Sequence, residues 1–134
     1  MNYEKSLEEL EKTILELYDE NKTVPIVVEG DKDIQALRKL GIDGTIISAN
    51  MGVPIPDFCD RIAKNFKEVI ILTDWDRRGG FLCNSIKRNL EGRVICNTRY
   101  REVFAKNSMI RTLEGLPSWI NTMRERAVNR LNKN

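Results

Sequence analysis

Histidine is absent from all 134 residues, and that gap removes more chemistry than any other feature of the chain. Without imidazole there is no Ser-His-Asp or Cys-His nucleophilic pair, no histidine general base and no histidine-ligated zinc. Cysteine is sparse. Cys59, Cys83 and Cys96 are odd in number and widely spaced, with no Cys-x-x-Cys pair, and read as small buried residues of a reducing compartment. No apolar run approaches the roughly 20 residues of a membrane span. The opening, MNYEKSLEELEK, is charged from the start and lacks the apolar stretch of a signal peptide. These absences predict a soluble, cytoplasmic protein without membrane contact. Any catalysis must rest on carboxylates, lysine, arginine or a hard metal ion.

Hydrophobic residues make up 41% of the chain and charged ones 31%, ordinary values for one globular domain able to bury a core without disulfides. The net charge of +2 conceals a split. Residues 1–21 carry seven acids and two bases (−5), whereas residues 93–134 carry nine bases and three acids (+6). The basic end permits nucleic-acid contact, and the two ends can pair within one chain or between two subunits of a homodimer.

Leu7, Leu10, Ile14 and Leu17 recur at helical spacing over about residues 3–20. From Val24 to Thr98, short apolar runs alternate with helical patterns. Strands are expected at Val24–Val28, with Pro25 at its entry, then at Thr45–Ile47, Val69–Leu72 and Val94–Cys96. Helices carry Ile34, Leu37 and Leu40, then Phe58, Ile62 and Phe66, then Leu82, Ile86 and Leu90; Gly41 and Gly92 serve as stops. That alternation predicts an α/β fold with a mostly parallel four-stranded sheet covered on both faces. Beyond it lies a less regular basic stretch. A last helix is expected from about Pro117, with Ile120, Met123, Ala127 and Leu131 as its apolar stripe and Trp119 and Met123 as core residues.

Two loops hold the candidate chemistry. Val24–Val28 ends in Glu29-Gly30-Asp31-Lys32-Asp33, and Val69–Thr73 ends in Asp74-Trp75-Asp76-Arg77-Arg78-Gly79-Gly80. Both stand at carboxyl ends of strands, where parallel α/β sheets bind ligands. If the extended backbone persists, Asp74 and Asp76 point the same way. Like charges 4 Å apart repel by roughly 4 kcal/mol at an effective dielectric of about 20, so three gathered carboxylates need protons, an arginine or a divalent cation. Oxygen donors without imidazole or thiolate favour Mg²⁺ or Mn²⁺, and Mg²⁺ commonly completes its shell with phosphates. Acids at such positions also cap helices, and Asp31 or Asp33 can do so here.

Together, Val27-Val28-Glu29-Gly30-Asp31-Lys32-Asp33 and Ile70-Ile71-Leu72-Thr73-Asp74-Trp75-Asp76-Arg77-Arg78-Gly79 resemble the signature of the topoisomerase–primase (Toprim) domain, with Gly52 similar to that family's middle glycine. The resemblance implies a three-layer, Rossmann-like fold in a single domain spanning 1–134. Its Toprim core covers about 22–105, between the N-terminal helix 3–20 and a basic helical extension over 106–132. It further implies Glu29, Asp74 and Asp76 as catalytic acids and ligands of one or two Mg²⁺ ions, with Mn²⁺ as a substitute. Lys32, Arg77 and Arg78 would face the phosphates of RNA or DNA, although exposed helix-flanking charge explains them equally well.

Two functions are compatible with these residues. One is a Mg²⁺-dependent nuclease or related phosphodiester enzyme. The other is a non-catalytic nucleic-acid-binding or assembly module with a retained metal site, working through Arg93–Arg111 and the last helix, alone or within a larger nucleic-acid-processing assembly. The chain has no Cys/His zinc module, and Tyr3, Tyr18 and Tyr100 lie outside both motifs, which leaves strand passage unsupported. Phosphoryl transfer through an aspartate nucleophile would leave Glu29 without a part.

Overall fold

The structure is a computed structural model that describes residues 1–132. Within these residues, four short strands form one sheet: β1 (Ile26–Val28), β2 (Ile46–Ser48), β3 (Glu68–Ile71) and β4 (Ile95–Asn97). Every pairing is parallel and the order is β2-β1-β3-β4. Among the described residues, six helices surround it: α1 (Tyr3–Glu20), α2 (Asp31–Lys39), α3 (Ile55–Asn65), α4 (Arg77–Leu90), α5 (Arg99–Asn107) and α6 (Leu116–Asn132).

Side chains alternate across a strand, which divides the core in two. Ile26, Val28, Ile70 and Leu72 face the buried stripes of α1, α2, α5 and α6. Val27, Val69 and Ile71 face Phe58, Cys59 and Ile62 of α3 and Cys83, Ile86 and Leu90 of α4. The result is the expected three-layer α/β architecture, with an all-parallel sheet. Pro25 stands at the entry to β1 as expected, and its carbonyl accepts the Ile70 N–H at 2.9 Å. Gly41 (φ 89°) and Gly92 (φ 77°) close α2 and α4 in the left-handed region, where a side chain would be strained.

Two expectations change. The basic stretch after β4 is largely helical: α5 buries Tyr100 and Phe104, one turn apart, among seven partly or fully exposed neighbours. So narrow an apolar stripe gives little periodic signal. In α6, Ile120 and Met123 are buried, but Leu131 is 75% exposed. Glu11–Arg124 and Glu4–Arg130 pairs show that α6 runs antiparallel to α1, and Leu131 lies past the point where α1 begins.

The order β2-β1-β3 places the acidic loops. After β1 the chain crosses to β2 on one side, then returns to β3 on the other. Ligand crevices of open parallel sheets form at that reversal, beyond the carboxyl ends of the two central strands. Here those strands lead into Glu29 and Asp74.

Candidate metal centre

Glu29 comes directly after β1, and one of its carboxylate oxygens accepts the Asp74 N–H at 3.3 Å. The Leu72 N–H bonds to Val27 O at 2.8 Å, extending the β1–β3 ladder towards this contact. Asn50, after β2, fixes Glu29 from the other side by donating its N–H to the Glu29 carbonyl at 3.0 Å. The two strand ends are therefore neighbours, and their acids open into one crevice of about 630 Å³. Asp31, Asp33 and Glu114 add carboxylates to its walls, and Lys32 and Arg78 add positive charge.

Asp74 is held on three sides. Its Oδ1 accepts the Leu113 N–H at 2.8 Å, and its carbonyl receives Nε and Nη2 of Arg101 at 3.1 and 2.9 Å. Gly79 packs against its main chain. Burial pushes the Asp74 carboxyl up to about 6. The Leu113 N–H opposes that rise, and the negative charges of Glu29, Asp33 and Asp76 add to it. Burial likewise raises Glu29 and Asp33 above the usual carboxylate range.

Asp76 departs from the expected geometry. β3 ends at Ile71 and the chain turns, so Asp76 does not continue a strand alongside Asp74. It is the N-cap of α4, and its Oδ1 accepts the Gly79 N–H at 2.7 Å. A helix start leaves N–H groups without partners, and an aspartate at this position satisfies one of them. At α2 the roles are reversed: Asp33, in the first turn, turns its Oδ2 back to accept the N–H of the N-cap Gly30 at 3.1 Å. Among the described residues, no three His, Cys, Asp or Glu side chains already converge as a ligand set.

The donors nevertheless fit a hard cation. They are carboxylate oxygens alone, and the sequence contains no histidine to favour zinc. Asp74 and Asp76 each commit one oxygen to a backbone N–H and keep the second. The site resists its own ionisation, which a divalent cation would relieve.

Of the expected phosphate-facing cations, Lys32 and Arg78 border the crevice. Arg77 lies over the Phe81 ring, 5.7 Å from its centroid. Sequence reasoning missed Glu114, Arg101 and the Leu113 N–H, which lie 27 to 40 positions beyond Asp74 and carry no local motif. It also missed the clasp formed by Trp75. The Trp75 N–H bonds to Arg111 O at 3.0 Å and its indole N–H bonds to Ile110 O at 2.6 Å.

The Toprim domain family matches residues 24–107. The chain belongs to that family. The match begins just before β1 and ends with α5. A UPF0292 protein of Methanocaldococcus jannaschii is 42% identical over 125 residues, covering 90% of this chain and 97% of that one. A UPF0292 protein of Thermoplasma volcanium is 41% identical over 99 residues, covering 73% and 83%. A solved protein from Aquifex aeolicus superposes with a TM-score of 0.67 at 26% identity, covering 77% of this chain and 94% of that one.

Part of the charge split is paired within the chain. Glu16 pairs with Arg99, Glu11 with Arg124 and Glu4 with Arg130. The C-terminal arginines expected at a nucleic-acid contact are in part engaged by α1. Among the described residues, no helix is long and apolar enough to cross a membrane.

Proposed function

We propose that this Toprim protein is a Mg²⁺-dependent enzyme of nucleic-acid phosphodiesters, acting as a nuclease on structured RNA or DNA. The reading is carried by one contact, Glu29 Oε1 to the Asp74 N–H, which joins both acidic motifs across adjacent parallel strands. Glu29 and the uncommitted oxygens of Asp74 and Asp76 would hold the metal, and Mn²⁺ could replace Mg²⁺. Bound there, such an ion supplies Lewis-acid polarisation of a phosphoryl oxygen and offsets charge on the leaving oxygen.

The chain's own groups supply the rest. Where Glu29 does not ligate the ion, its carboxyl, raised above the usual range by burial, can exchange a proton with the reacting oxygen as general acid or base. Lys32 and Arg78, on the crevice wall, orient phosphates by charge-assisted hydrogen bonds. Arg101 and Gly79 keep the Asp74 main chain in place.

The test is Mg²⁺ and Mn²⁺ titration with a cleavage screen over RNA and DNA hairpins. Cleavage should require metal and disappear in Asp74→Asn and Glu29→Gln while the fold persists. Undiminished cleavage in the double variant rejects the proposal. Metal and nucleic-acid binding without turnover would instead identify the non-catalytic module.

A further inference from the structure

Helix α4 carries four bases, Arg77, Arg78, Lys87 and Arg88, and no acid along its 14 residues. Its first turn, after the N-cap Asp76, borders the acidic crevice through Arg78, and all four basic side chains are exposed. Among the described residues, none of the four has a carboxylate within ion-pairing distance, although other arginines do. Arg77, Phe81, Asn84 and Arg88 are spaced by four, three and four, so they form one stripe along the solvent side, about 16 Å long at the helical rise. Phe81 is 64% exposed in the middle of that stripe. Beside it runs a shallow groove of about 770 Å³, walled in part by Phe81, Asn84, Lys87 and Arg88. Arg78 and Leu82, on the adjoining face, line the acidic crevice.

A solvated helix face explains the charges but not a large aromatic ring that, with Arg77 over one face, still presents most of its surface to solvent. We propose that this stripe is a track for single-stranded nucleic acid, with Phe81 stacking on a base and Arg77, Lys87 and Arg88 neutralising phosphates on either side. This deepens the preceding reading by naming the form of nucleic acid that reaches the crevice. Stacking on an exposed ring needs an unpaired base, which a continuous duplex does not offer, whereas every single-stranded base has a free π-face. Lys87 and Arg88, against the single carboxylate of Glu91 in the groove lining, together with Arg77 on the stripe leave a net positive charge that suits phosphates and opposes a second copy of the same surface.

The experiment measures anisotropy of fluorescein-labelled oligo(dT), oligo(U) and a blunt duplex of matched length, in EDTA, so that cleavage and metal play no part. Phe81→Ala should weaken single-strand binding roughly tenfold with an unchanged salt slope. Lys87→Ala/Arg88→Ala should reduce the salt slope by about 1.4, at about 0.7 per phosphate. Preference for oligo(dT) or oligo(U) identifies the strand's source, and either supports the track. Unchanged binding in Phe81→Ala, or tighter binding of the duplex, overturns it. So does a Phe81→Ala effect confined to self-association, measured by sedimentation. Asp74→Asn is expected to retain single-strand binding, so failure of the nuclease reading would leave this result standing, and the converse also holds.

Discussion

Gly79 lies against the main chain of Asp74: a Cβ at position 79 would stand 1.9 Å from the Asp74 carbonyl oxygen. Thr73 Oγ1 also donates to Gly79 O at 2.8 Å, tying the end of β3 to the first turn of α4. Gly79→Ala should therefore cost about 3 kcal/mol or more in denaturant unfolding, at the upper end of overpacking effects. It should also weaken Mg²⁺ binding, because backbone atoms must move to admit the methyl group.

Asp76 has two separable roles. Asp76→Asn keeps an oxygen for the Gly79 N–H and loses only charge, whereas Asp76→Ala loses the cap as well. Thermal melts in EDTA should show Asp76→Asn near wild type and Asp76→Ala lower by about 1 kcal/mol. In calorimetric titration both should bind Mg²⁺ more weakly. Wild-type affinity in Asp76→Asn would limit Asp76 to capping.

The raised carboxyl pKa values set a pH dependence. Asp74 moves from its ordinary 3.8 to about 6 on folding, so the folded state holds the proton more tightly. Between these values the unfolded chain has lost a proton that the folded chain keeps. Metal-free stability should therefore fall as pH rises through the window and level off above about 6. Glu29 and Asp33 shift in the same direction and add to the slope. Asp74→Asn keeps the acceptor for Leu113 and should flatten the slope in urea titrations. Mg²⁺ affinity should rise with pH across the same window, because the ligands must ionise.

Trp75 fastens the Ile110–Glu114 segment over the site through Ile110 O and Arg111 O, while its ring tilts against Phe104 at 6.0 Å. Trp75→Phe removes only the indole N–H among these polar links. Amide exchange at Leu113 and Glu114 should accelerate, with a stability loss of about 1–2 kcal/mol. Unchanged protection at Leu113 would show that the segment is held without the indole.

Much of the fold was legible because its strands are continuously apolar and its longer helices are clearly amphipathic. Val27 and Ile71 could be assigned to a buried parallel sheet from such patterns. Glu29 and Asp74 could be assigned to strand ends because each begins a charged, glycine-bearing loop directly after an apolar run. Tyr100 and Phe104 could not be placed, since two buried residues on a charged nine-residue helix make no visible period. Asp76 illustrates a different limit: Asp-x-Asp spacing does not say whether the strand continues, and here the backbone turns into a cap.

The sequence by itself determined the donor chemistry, carboxylates without imidazole, and the positions of both acidic motifs at strand ends. These are local properties of residue type and periodicity. Tertiary structure alone decided that β1 and β3 lie side by side, that Leu113 and Arg101 grip Asp74 from more than 25 positions away, and that α1 takes up part of the C-terminal charge. Such contacts depend on the crossover order of the chain and on packing between distant segments, which no local pattern encodes.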